Sequence, residues 1–254
     1  MVLPKPITLP AEALVRLVAL ENLGELHITL KPAAVWRPRD LEHEEELRAR
    51  EDFRRMGLFD RRGRLDAEVV AALAVLCRPA VEFYGWISIE EKTIGVLAGA
   101  IGREAVLAVR DGDSVTLRQI RPDRLPEELV GQAADLPPGR GDAFSMLQSD
   151  ALASAGGRRS TEAGVGSRLA RPEVRLAQRI AELPTTGGGQ LSVASRDGLG
   201  RRRVSPHPLR FADTRNGRWL NQMTPVAGGD NRILIAPAGP LDLVARLRDM
   251  HKAL

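Results

Sequence analysis

Aromatic residues make up only 4% of this 254-residue chain, and there is a single cysteine, Cys77. The first scarcity leaves Leu, Val, Ile and Ala to build the core. The second excludes an internal disulfide, and with it any reason to invoke an oxidising compartment. The four histidines, His27, His43, His207 and His251, are scattered without a second ligand at a productive spacing, so no metal site is indicated. No run approaches the roughly 18 apolar residues that span a bilayer. Pro4, Lys5 and Pro6 precede a run interrupted by Glu12 and Arg16, which is not the pattern of a signal peptide. These absences predict a soluble, cytoplasmic protein without membrane insertion. Its hydrophobic fraction of 43% and charged fraction of 28% are those of a globular chain with a substantial core.

Lysine is also scarce, so the net charge of +4 is carried almost entirely by arginine. Charges of both signs are interspersed, and the one dense cluster, Arg201 to Arg203, sits beside a hairpin signal. A nucleic-acid-binding accessory protein is therefore the alternative reading, with a steep fall of affinity with salt as its signature.

Reaction chemistry finds no foothold. Gly188-Gly189-Gln190 spells the tripeptide of peptide release factors, but Gln190 runs straight into an alternating strand pattern instead of an exposed loop. Cys77 lies in a helical run of Ala, Leu and Val, where a small core residue is expected, not a paired nucleophile. The serines lack a strand-to-helix elbow, and the Glu42 to Glu46 run reads as a charged helix face. No catalytic residue and no cofactor are predicted.

Helical periodicity predicts helices over Pro10–Leu23, with Leu14, Val15 and Val18 inward, over Asp40–Met56, and from Asp66 to Cys77. The second carries Glu44/Arg48, Glu46/Arg50 and Glu51/Arg55 pairs four apart, the mark of a solvated face. Leu26 to Leu30 reads as a short extended stretch. Alternation then predicts strands at Phe83–Ile89, Thr93–Ala100, Glu104–Arg110 and Ser114–Ile120, followed by a short helix, Asp123–Val130, and a strand at Ala143–Leu147. Ser149 to Arg168 is poor in large apolar residues and predicts a flexible loop. A helix from Pro172 to Leu183, with Leu176, Ala177, Ile180 and Leu183 inward, leads into the Gly187–Leu220 segment. That segment carries two hairpin signals, Asp197-Gly198 and Asn216-Gly217. A strand at Arg232–Ala236 and a helix from Pro240, with Leu243, Val244 and Leu247 buried, complete the chain.

The halves share one grammar of helix, antiparallel strands around a tight turn, and closing helix. The fold class that follows is α+β: one central antiparallel sheet with helical bundles and quasi two-fold internal symmetry. The chain is expected to be one domain over 1–254, with pseudo-repeat halves near 1–135 and 140–254 and the flexible loop at 149–168.

The ordered set of Trp36-Arg37-Pro38, FYGWI followed by REAVLAVRDGDSVTL, and the GGGQL…RD…GRRR…DT…GRW run resembles the EspG family, the chaperones of actinobacterial type VII (ESX) secretion systems. The resemblance spans nearly the whole chain. It implies a cytosolic protein that is not an enzyme and that binds the apolar helical tip of PPE proteins in PE–PPE dimers. Such a protein keeps its clients soluble and directs them to secretion. It further implies a contact surface formed by the sheet and the C-terminal helical part.

A surface for that task must be broad, preformed and moderately polar. After Gly189 one strand face reads Leu191, Val193, Ser195; the other reads Gln190, Ser192, Ala194, Arg196, the mixed surface required. Phe211, Arg218 and Leu220 on neighbouring strands are candidate contacts, with Leu243 and Leu247 at a rim if not buried. Trp86 and Trp219 have core packing as their first reading, yet a tryptophan on a sheet face is also an anchor for a partner; Trp219 joins the candidates. The expected partner is a PPE-like or other helical secretion substrate; a second copy of the chain is the further candidate.

Overall fold

The computed structural model describes residues 5–32, 51, 53–60, 62–156 and 172–254. Trp36-Arg37-Pro38, most of the charged helix expected over Asp40–Met56, and the 157–168 part of the expected loop lie outside these residues.

Among the described residues the alternating segments pair into one antiparallel sheet of eleven strands. They are β1 (Ile7–Pro10), β2 (Val81–Ile89), β3 (Lys92–Ile101), β4 (Glu104–Asp111), β5 (Ser114–Gln119), β6 (Phe144–Leu147), β7 (Thr185–Arg196), β8 (Arg202–Val204), β9 (Leu209–Thr214), β10 (Gly217–Pro225) and β11 (Asn231–Pro237). The spatial order is β1-β5-β4-β3-β2-β7-β9-β10-β11-β6, with β8 also paired to β7. That order has the same form from either edge. A short first strand lies outermost, a meander follows, and the long strands β2 and β7 meet at the centre, Gly85 opposite Leu191. Both strong hairpin signals of the second half form turns at the expected places, between β7 and β8 and between β9 and β10.

Among the described residues the helices that pack on this sheet include α1 (Ala11–Leu20), α2 (Ala67–Cys77), α3 (Leu125–Val130), α4 (Gln148–Gly156), α5 (Pro172–Ala181) and α6 (Pro240–Lys252). Asp66 caps α2 by accepting from Glu68 N, and Asp242 accepts from Gly239 N at the start of α6, so each start satisfies an otherwise orphan donor. Strand alternation splits the buried side chains between the two faces. On one, α3 and α6 bring Leu125, Leu129, Leu243, Val244 and Leu247 onto Phe83, Ile87, Leu191, Val193, Leu209, Phe211 and Leu220. On the other, α1 and α2 bury Leu14, Leu17, Leu73 and Leu76 against Leu97, Val106, Ala108 and Leu117. At the far flank of that second face a smaller cluster, Met146, Val174, Trp219 and Ile235, lies under α4 and α5.

Three expectations change. In α1, Leu17 joins Leu14 and Val18 inside, whereas Val15 is exposed. Leu26–Leu30 is no strand: His27 N donates to Leu76 O and Leu30 N to His27 O, so its backbone bonds are used in a turn. Ser149–Gly156, expected to be a flexible loop, belongs to α4. A short helix needs only one small face against a sheet edge, and Ala151 supplies it beside Met146 and Ile233. The edge strand β1, which pairs with β5, carried too little alternation to be anticipated.

Candidate functional site

The register across the sheet brings seven residues into one transverse row: Arg110, Gly95, Trp86, Gln190, Arg210, Asn221 and Ile235. All point to the face that carries α1 and α2 at one flank and α4 and α5 at the other. The ends of the row are covered. Over Gly95 runs the 26–32 segment, so close that a Cβ there would sit 2.0 Å from Thr29 O. Arg110 Nη1 donates to Lys31 O and fixes the same segment. At the opposite end Ile235 is buried beneath the α4/α5 flank.

Between these walls the row is open. Trp86 is 38% exposed, Gln190 half-buried, Arg210 and Asn221 exposed. Arg210 Nε donates to Gln190 Oε1 at 3.3 Å, and among the described residues no carboxylate pairs with Arg210. Ser88 and Ser192 flank Trp86 and Gln190 along the strands, both half-buried. Among the described residues no helix covers β7 or β9 on this face; α6 meets β7 on the opposite face. The result is a shallow strip with one aromatic ring, a cation and several neutral amides and hydroxyls. Such a surface accepts an apolar knob with a polar rim and keeps itself soluble.

The face of β7 chosen for contact by its mixed composition, Gln190, Ser192, Ala194 and Arg196, is the face that bears the strip, while Leu191 and Val193 enter the core. Several other candidates are corrected by burial. Phe211 (5% exposed) and Leu220 (2%) point to the α3/α6 face, where Leu243 and Leu247 are fully enclosed. Arg218, also fully enclosed, spends its guanidinium on Asp213. Ala194 is buried beside Tyr84. Trp219 is on the right face, but the 139–141 turn seals it: a Cβ on Gly139 would lie 2.3 Å from its Nε1. Gln190, Ser192 and Arg196 are the candidates left at the surface. Arg210 and Asn221 were missed, although the alternation of LRFADT, with Leu209, Phe211 and Asp213 on one side, already put Arg210 and Ala212 on the other.

A polar cluster borders the strip. Glu82 is buried on β2, takes an ion pair from Arg202, and has its Oε2 3.5 Å from His27 Nε2. Thr29 N and its hydroxyl lie 3.3 and 2.9 Å from His27 Nδ1. Donation from Thr29 N makes Nδ1 an acceptor and leaves the proton on Nε2, facing Glu82. The His27 ring packs edge-on to Tyr84, 4.6 Å between centroids, and the Arg202 guanidinium stands 5.4 Å from the Tyr84 ring. Burial, then the charges of Arg202 and Lys31, depress the His27 pKa from 6.5 to about 4. The folded state therefore holds His27 neutral over a range where the unfolded chain protonates it. Its stabilising effect is full above pH 6.5 and is lost as pH falls from 6.5 to 4. At about 1.4 kcal/mol per unit this loss amounts to roughly 3 kcal/mol. Urea unfolding over that window is expected to show the slope, and His27→Gln to flatten it; an equal slope in the variant would refute the assignment.

Cys77 is half-buried, and burial raises its pKa to about 11, which keeps the thiol protonated. No cluster of three or more His, Cys, Asp or Glu side chains placed to hold a metal occurs among the described residues, and no helix of those residues is long and apolar enough to cross a membrane.

No curated protein matches the chain in sequence. In structure it is similar to the Mycobacterium tuberculosis type VII secretion system chaperone EspG5, solved in complex with a PE25–PPE41 dimer. The TM-score is 0.70 at 14% identity, over 98% of this chain and 97% of that one. The EspG family profile matches residues 10–249, nearly the full length, and the chain belongs to the EspG family.

Proposed function

We propose that this protein is a cytoplasmic chaperone and adaptor of a type VII secretion system, without catalytic activity of its own. Its open sheet strip covers the apolar helical tip of a PE–PPE-type heterodimer, keeps the client in solution and presents it for secretion. The chain acts as one unit over 1–254, its halves, near 1–135 and 140–254, meeting at the β2–β7 seam beneath the client. The observation that carries the reading is the uncovered middle of the sheet: an exposed Trp86 amid Gln190, Ser192, Arg210 and Asn221, walled on both flanks. The likeness in fold to EspG5, which was solved holding a PE25–PPE41 dimer, supports the same use of the scaffold.

Physical economy favours this role. A helical tip that presents two or three apolar side chains aggregates when free, and a rigid strip hides them without the entropic cost of ordering loops. A stable complex buries on the order of 1,200–2,000 Å² in total, which requires the flanking walls as well as the strip. Co-expression with a PE–PPE pair from the same genome is expected to yield a soluble ternary complex in gel filtration. Clients that stay insoluble with and without the chaperone would overturn the proposal.

A further inference from the structure

We propose that the β7–β8 hairpin is a second recognition site, where an extended acidic segment of a partner protein adds as a strand to the outer edge of β8. The inference stands apart from the client strip and does not rest on it.

Strand β8 is a fragment with an open side. Opposite β7, the chain forms β8 and β9 as one strand broken at Ser205–Pro208; β10 pairs with β9 but not with β8. The hydrogen bonds at both ends of the hairpin fix which groups point where. Ser205 N donates to Val193 O at 2.9 Å, and Asp197 N donates to Arg201 O at 3.1 Å. Antiparallel ladders alternate bonded and non-bonded pairs, so residue 203 turns its backbone to β7. The N–H and C=O of Arg202 and Val204 therefore point outward, and they have no backbone partner among the described residues. Arg202, Arg203 and Val204 are all exposed. An edge of this kind is a template for another strand unless something blunts it.

Charge selects the occupant. Residues 196–204 contain four arginines and one aspartate, and a fifth guanidinium, that of Arg78, lies against Gly200. Among the described residues two side-chain carboxylates pair with these five cations: Asp197 holds Arg201, and Glu82 holds Arg202. Arg203 donates to an oxygen of the terminal Leu254 carboxyl group, which leaves Arg196 and Arg78 without a carboxylate partner among the described residues. The residual field is positive and repels a basic strand, including a second copy of this hairpin, but attracts an acidic one. Leu199 at the hairpin tip is 79% exposed and Val204 41%, which adds apolar contact for alternate side chains of the incoming segment.

The experiment is fluorescence anisotropy on the full chain with a fluorescein-labelled peptide that alternates glutamate and threonine. The same peptide with lysine in place of glutamate is the control. The glutamate peptide is expected to bind at least about tenfold more tightly. Val204→Pro deletes one outward N–H and leaves the β7 ladder whole, since proline is tolerated where the N–H faces solvent. It is expected to weaken the glutamate peptide about tenfold with an unchanged thermal midpoint. If that midpoint falls, Arg203→Glu, an exposed change, carries the test and must weaken binding. Peptide binding that neither variant reduces, or a DNA or RNA oligonucleotide bound more tightly than the peptide, would overturn the proposal.

Discussion

Replacing Asp213 by alanine is expected to destabilise the fold by about 3–5 kcal/mol, the usual cost of stranding one member of a buried ion pair. Arg218 has no exposure at all, and Asp213 has 2%. Arg218 Nε and Nη2 donate to the two Asp213 oxygens, Nη2 also donates to Ala134 O at 2.7 Å, and the guanidinium lies 4.7 Å from the Phe211 ring centroid. The main chain of the same residue is a junction. Arg218 N donates to Pro137 O, and Arg218 O accepts from Gly139 N and Ala238 N. One residue therefore ties β9 and β10 to the 134–139 segment and to the entry of α6. With Asp213 gone, the charge has no counter-ion and cannot reach water without opening that junction. Since whole domains are stable by only about 5–15 kcal/mol, urea unfolding will show the loss as a large shift of midpoint. Substituting both partners with apolar residues, Asp213→Leu with Arg218→Met, is expected to recover most of the loss, because no charge is then left dry. A single variant within about 1 kcal/mol of wild type would show that the pair contributes little.

The second large effect concerns binding. Trp86→Asp is expected to lower affinity for a PE–PPE-type client about a hundredfold or more, since central aromatic anchors contribute 2 kcal/mol and upward and a carboxylate there opposes an apolar knob. Trp86 already meets solvent on the strip face, so its loss leaves both cores intact and the unfolding midpoint should move little. Arg210→Glu is expected to act in the same direction with smaller size, as a rim charge. Leu241→Asp serves as the control: Leu241 is 81% exposed in the first turn of α6, away from the strip, and its replacement should leave capture unchanged. Pull-down and titration calorimetry with the co-purified heterodimer distinguish these outcomes. Equal capture by Trp86→Asp and wild type would move the client surface elsewhere on the molecule.

Particular residues show what could be read before any coordinates. The alternation along Leu191 to Arg196 assigned each side chain to its sheet face, because a strand's side-chain period of two depends on nothing outside the strand; it did not foresee that Ala194, on the strip face, is buried beside Tyr84. The same logic held for the Leu243, Val244 and Leu247 stripe of α6 at a period of 3.6. It failed where burial depended on a distant segment. Trp219 and Trp86 both sit on the strip face of the sheet, and Trp86 has the more apolar neighbours in sequence, FYGWISI against NGRWLNQ. One is sealed by Gly139 and Gly141, about eighty residues earlier in the chain, and the other is 38% exposed, with no such cover among the described residues. Arg218 has the composition of a surface cation, and only the cross-strand pairing with Asp213 makes its burial tolerable. Ser149–Gly156 lacks the apolar content of an independent helix, and the sheet edge at β6 and β11 supplies what its own residues do not.

Composition and periodicity by themselves settled the class of this molecule: strands and helices in two similar runs, a core of aliphatic residues, arginine-rich turns. These follow from local rules, in which each side chain's direction is set by its neighbours in sequence. Which part of the sheet stays open was decided by tertiary structure alone. The helices of the first run cover one flank of the strip face, those of the second cover the other, and α3 with α6 close the reverse side. Only long-range packing determines where two such layers stop short of each other, and there Trp86 reaches water.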